Sequence, residues 1–195
     1  YLPPRYAHDG IAQGECMTYS IGFRAPSAQE LAAEFLNYLQ ENRTLSGMYA
    51  DPHLALQEHP AEIGGSMVKQ VTSILNGLKW NDADVADFLG QYLSEPKSHI
   101  VFDAPKSISL QAFEKRMKRH GIQLSFKSQL LKVANTYYLN GEAVNFVADT
   151  ESLMITLADS RLLSAEDLSL PSKFSEDFVA LMHDWYLAGC IIFSQ

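Results

Sequence analysis

Six histidines are the residues of widest chemical range in this chain: His8, His53, His59, His99, His120 and His183. A histidine can ligate a metal or move a proton near neutral pH. None of the six begins a His-x-Asp or His-x-Glu triplet, the spacing that sets two metal donors on one face of a strand. His183 and Asp184 are adjacent, and adjacent side chains diverge on a helix, so they read as a partly exposed polar pair. His53 and His59 sit in a loop beside Pro52 and Pro60 and are given no role. Cys16 and Cys190 lie near opposite ends, which makes neither a CxxC metal pair nor a disulfide framework. There is no GxGxxG, P-loop, HExxH or GxSxG. No self-contained catalytic motif is present.

The elements that must position these residues are bounded by composition. The 195 residues are 47% hydrophobic and 19% charged. That supports a sizeable core and excludes a disordered, collagenous or disulfide-scaffold class. The length suits one large domain or two small ones. The longest apolar run, Leu187 to Phe193, is far too short to span a bilayer, and no signal peptide pattern opens the chain. A soluble cytoplasmic protein is the default expectation. The first residue, Tyr1, reads as the start of a processed, truncated or designed chain. Net charge is −8, yet residues 106–132 carry seven cations against Glu114 alone. That segment is +6, so the remainder is −14, and general polyanion binding is not expected.

Three segments follow along the chain. Turn signals at Pro3-Pro4 and Asp9-Gly10, with the β-branched and aromatic run Met17 to Phe23, predict β structure over 1–26. A strand pair of this size needs partners from elsewhere. Ser27 and Glu30 form a capping box, opening a helix with Leu31, Phe35, Tyr38 and Leu39 on one face. A second helix between Pro60 and Trp80 carries the stripe Ile63, Met67, Val71, Ile74, Leu75 and Leu78. A third runs from about Asp82 to Glu95 and stops at Pro96. Three such helices predict a small bundle. Beyond it, a short strand is expected at Ile100 to Phe102. Next comes a helix capped by Ser109 and ended by Gly121. Asn140-Gly141 is read as a hairpin turn joining strands near Leu131 to Leu139 and Ala143 to Ala148. A further strand is expected over Leu153 to Leu157. A last helix is capped by Ser175, and Cys190 to Phe193 is strand-like. Helices followed by a hairpin suggest a winged-helix module.

Two strings carry a resemblance. Tyr1-Leu2-Pro3-Pro4-Arg5-Tyr6-Ala7-His8-Asp9-Gly10 is followed by Thr18-Tyr19-Ser20-Ile21-Gly22-Phe23-Arg24-Ala25-Pro26. Together they resemble the end of the JmjC-type cupin barrel of bacterial ribosomal oxygenases, which hydroxylate an arginine of a ribosomal protein. The strings cover about the first 26 residues, and the order of elements matches along the rest. Asp9 stands where the family pattern has glutamate, a conservative change beside the proposed ligand.

The resemblance implies an α+β chain: terminal strands of a JmjC/cupin double-stranded β-helix (1–26), a helical dimerisation bundle (27–97), then a winged-helix-like domain (98–195). It implies that His8 is the last ligand of an Fe(II) held by two histidines and a carboxylate, with the opposite face open for 2-oxoglutarate and oxygen. Ser20 would line the 2-oxoglutarate cavity, with Thr18 on the same face. Arg24 would meet either an acidic group of the substrate or a surface carboxylate. The His-x-Asp triplet is absent from these residues. The expectation is therefore a C-terminal portion of a dioxygenase, inactive alone and binding neither Fe(II) nor 2-oxoglutarate well. Expected partners are a second copy, through residues 27–97, and a ribosomal protein substrate. The basic helix near Lys115 to Arg119 reads as a solvated face, with ribosomal RNA contact as its rival. Glu142 at the hairpin argues against operator reading. The alternative class is a non-enzymatic dimeric winged-helix-like module that binds protein or nucleic acid.

Overall fold

Ser27 opens helix α1 (Ala28–Asn42) as its capping box predicts. Its hydroxyl accepts the Glu30 N–H at 3.1 Å, and the Glu30 carboxylate accepts the Ser27 N–H at 3.4 Å. Both bonds satisfy donors that a helix start leaves unpaired. Helix α2 (Gly65–Leu75) follows without a side-chain cap. Helix α3 (Asp82–Ser94) starts with a second reciprocal box, between Asn81 and Asp84. The computed structural model describes residues 6–7, 9–17, 19, 25–50, 52, 56, 58–146, 148–169 and 175–194. The strand read over Met17 to Phe23 lies mostly outside them.

Helices α1 and α3 pack through Leu39 and Phe88, both buried. Phe35 meets Phe88 edge-on at 5.3 Å, and Tyr92 stacks on Phe88 at 5.4 Å. Among the described residues, the bundle that periodicity suggests is not closed. No residue of α2 is buried, and its stripe of Met67, Val71, Ile74 and Leu75 stays exposed together with Ile63.

The second half carries the main core. Helix α4 (Leu110–His120) is capped by Ser109 and ended by Gly121 at φ 76°. Strands β1 (Ile122–Leu124), β2 (Leu130–Val133), β3 (Thr136–Leu139) and β4 (Glu142–Val144) come next, then helix α5 (Glu151–Ser160). Strand β5 (Leu162–Leu163), helix α6 (Glu176–Leu187) and strand β6 (Ile191–Phe193) complete it. Two three-stranded antiparallel sheets result, in the orders β5-β1-β6 and β2-β3-β4. Phe113 and Met117 of α4, Leu153, Met154 and Leu157 of α5, and Phe178 and Met182 of α6 close over them as one core. Asn140 and Gly141 take φ values of 53° and 93°, the two positive angles that a two-residue type I′ hairpin requires.

Four local expectations are corrected. Leu153 to Leu157 is not a strand but part of α5. Leu153, Met154 and Leu157 are buried on one helical face, while Ile155 points outward and Thr156 bonds back to the Ser152 carbonyl at 2.9 Å. The single strand expected from Leu131 to Leu139 is two. Ala134 reverses the chain at φ 52° and pairs Val133 with Thr136. Its partner strand ends at Val144, and Ala148–Thr150 begins a 3-10 turn. Ile100 to Phe102 forms no strand. The Val101 carbonyl is instead taken by the Lys127 ammonium at 2.8 Å.

Candidate functional site

His8 and Ser20, with Thr18 and Arg24, lie outside the described residues, as does His53. The described histidines build no metal centre. Among the described residues, no group of three His, Cys, Asp or Glu side chains is placed to hold an ion. His183 instead bridges its Nε2 to the Ile108 carbonyl at 2.9 Å and lays its ring 5.2 Å from that of Phe113. It fastens α6 to the approach of α4. His59, His99 and His120 are exposed. Cys190 is buried, and that burial raises its thiol pKa above the usual value. A thiol held neutral is a poor nucleophile.

The main polar constellation of the described part centres on Asp87. Its carboxylate accepts the Tyr38 hydroxyl from α1 at 2.7 Å and the Tyr138 hydroxyl from β3 at 2.7 Å. Gln91, one turn on along α3, adds an amide N–H at 2.8 Å. Burial, reinforced by the bond to Asp87, pushes Tyr138 up to about 12 and raises Tyr38 as well. Three donors therefore occupy the carboxylate, and both phenols are held protonated. That suits a strut joining α1, α3 and β3 and not a general base. The sequence reading missed Asp87.

α3 also seats the hairpin. Gly90 lies under the Tyr138 ring. The buried Ser94 hydroxyl accepts the Gly141 N–H at 2.9 Å and donates to the Gly90 carbonyl at 2.7 Å.

Much of the basic segment is paired. Lys118 bridges Glu114 at 2.6 Å, Lys127 bridges Asp103 at 2.6 Å, and Lys132 bridges Glu151 at 2.9 Å. Arg116 sits 5.7 Å from the centre of the Phe193 ring. This is the solvated amphipathic face expected from its pattern, with its apolar residues Phe113 and Met117 buried.

Two family models match. One, described as a JmjC domain, covers residues 1–31. The other, described as a ROXA-like winged helix, covers residues 77–191, more than half of the chain. The chain belongs to the ROXA-like winged-helix family. Within that family the matched span takes in α3 and every later element up to the start of β6. A curated relative is the ribosomal protein uL16 3-hydroxylase of Escherichia coli (strain K12). It is 26% identical over 198 residues, which cover 97% of this chain and 52% of the relative. The ROXA-like chain thus spans about half the length of that relative. Its fold is also that of the ribosomal oxygenase YcfD from Escherichia coli, with a TM-score of 0.65 at 19% identity over 90% of this chain and 48% of the other. A structure of YcfD in complex with cobalt and 2-oxoglutarate matches with a TM-score of 0.63 at 19% identity over 90% and 48%. The resemblance is to the C-terminal portion of ribosomal oxygenases. It agrees with the α+β reading that ends in a winged helix.

Proposed function

We propose that this chain is the C-terminal part of a 2-oxoglutarate- and Fe(II)-dependent oxygenase that hydroxylates a ribosomal protein. The observation that carries this is the pairing of two matches on one chain, a JmjC domain over 1–31 and a ROXA-like winged helix over 77–191. The first span contains His8 and Ser20. His8 supplies one imidazole of the iron site, and Ser20 lines the pocket for 2-oxoglutarate. One imidazole does not hold iron. The second histidine and the carboxylate have no His-x-Asp triplet in these 195 residues, and the described residues offer no metal group. The residues present therefore do not make the site by themselves. By itself the chain is inactive.

The winged-helix region serves as scaffold, and residues 27–97 as a dimerisation surface. The support for a homodimer is the uncovered stripe on α2, where Leu75 is 57% exposed, continued by Ile63 just before the helix at 71%. Large apolar residues at helical spacing on one free face mark a protein contact. Among the described residues no helix is long and apolar enough to cross a membrane. Action on a ribosomal protein would place the enzyme in the cytoplasm.

The test uses full-length protein. With His8→Ala, 2-oxoglutarate turnover and the one-oxygen mass gain of the ribosomal protein should both be lost, and Ser20→Ala should raise the KM for 2-oxoglutarate. Unchanged turnover in the His8 variant sinks the ligand assignment.

A further inference from the structure

The outer edge of strand β4 faces an apolar cleft. In the order β2-β3-β4, β4 is an edge strand among the described residues. The two-residue turn makes Leu139 and Glu142 the hydrogen-bonded closing pair, so Tyr138 and Ala143 form the next, non-bonded pair. The N–H and C=O of Ala143 therefore point away from β3, along the free edge, and Ala143 is exposed. A natural edge is commonly blunted by lysine or proline. Here the strand reads Glu142-Ala143-Val144 and has neither.

Beside this edge is a cleft of about 570 Å³ whose floor includes Phe102, Leu181 and Trp185. That volume falls in the range of sites that seat large side chains. A second cleft of about 300 Å³ continues it, sharing Asn145 and Leu181. Glu142 borders the first and Asp177 the second, and among the described residues no lysine or arginine lines either one. A groove that combines a free strand edge, an apolar floor and carboxylates at its rim has the parts for strand addition. Backbone bonds come from the edge and side-chain selection from the floor. The charge selects the sign of the visitor.

The geometry points to a docking site on the winged-helix region for an extended, cationic peptide segment, which adds as a strand at Ala143 and drops an apolar side chain onto Trp185. This goes beyond the oxygenase reading and stands without it.

The chain has two tryptophans. Trp80 is 55% exposed and is not among the residues that line either cleft, so Trp80→Phe leaves Trp185 as the only reporter. In that background, a peptide alternating lysine with phenylalanine should saturate a change in Trp185 fluorescence, and its glutamate counterpart should not. Ala143→Pro removes the outward N–H at an edge position where proline is tolerated, and should weaken binding about tenfold. Glu142→Lys, an exposed change, should weaken it by a similar factor and abolish its salt dependence. Circular dichroism checks that both variants fold. A flat Trp185 signal with the lysine peptide overturns the proposal, as does equal affinity in the Glu142→Lys variant. If Ala143→Pro instead lowers the mass of the free chain in light scattering, the occupant is a second copy and the peptide proposal fails.

Discussion

Gly90 lies directly against the ring of Tyr138: a methyl group built on its Cα would overlap Cδ2, Cε2 and Cζ of that ring. Glycine inside a helix costs up to about 1 kcal/mol against alanine, so its place in α3 needs this close approach to explain it. Gly90→Ala gains that propensity and loses more to overpacking, about 1–3 kcal/mol. The expected net result is a lower urea midpoint. In a Tyr138→Ala background the overlap is gone, and the same substitution should become neutral or stabilising. A loss of equal size in both backgrounds would show that the ring is not the cause.

The phenols on Asp87 predict an alkaline transition. Tyr138 moves from 10.0 to about 12, first through burial and then through its bond to Asp87. The folded value lies above the unfolded one, so this contribution is intact below pH 10 and disappears as the pH climbs through 12. Thermal melts from pH 9 to 12 should fall across that window, and the fall should shrink in Tyr138→Phe. Phenolate absorbance should show late-titrating groups among the nine tyrosines. A single wave near pH 10 in the folded chain would contradict this.

Ser94 holds the hairpin tip to α3 through the Gly141 N–H. Ser94→Ala removes that acceptor at a fully buried hydroxyl, with an expected cost of about 1–3 kcal/mol. Hydrogen exchange localises the effect: the Gly141 amide should lose protection while the amides of α5 keep theirs.

If the α2 stripe is a dimer surface, charges on it should separate the copies. Val71 and Ile74 are both exposed, so with Val71→Asp and Ile74→Asp together the fold should survive with an unchanged melting curve. Light scattering should then report half the mass of the parent. A parent that is already monomeric, or a variant of unchanged mass, rules this surface out.

What could be read from sequence was what is encoded within a few residues. The boxes at Ser27, the caps at Ser109 and Ser175, the positive φ at Gly121 and the Asn140-Gly141 turn all have partners one turn away or less. Asp87 has its two phenols 49 and 51 positions away, and no local pattern announces such a meeting. Ala134 lacks the glycine or asparagine that normally marks a positive φ, so the turn before β3 was hidden. In α5 the β-branched pair Ile155-Thr156 imitates a strand, although the buried face keeps a helical period. The iron and 2-oxoglutarate assignments for His8 and Ser20 come from the two N-terminal strings, because isolated residue types carry no such information.

Helix α3 has one flank on α1, through Phe88 and Tyr92, and another under β3, through Gly90. Its 13 residues make a stiff rod about 20 Å long. The same rod therefore meets α1 on one side and the Asn140-Gly141 tip on the other, through side chains and with no loop between the two contacts.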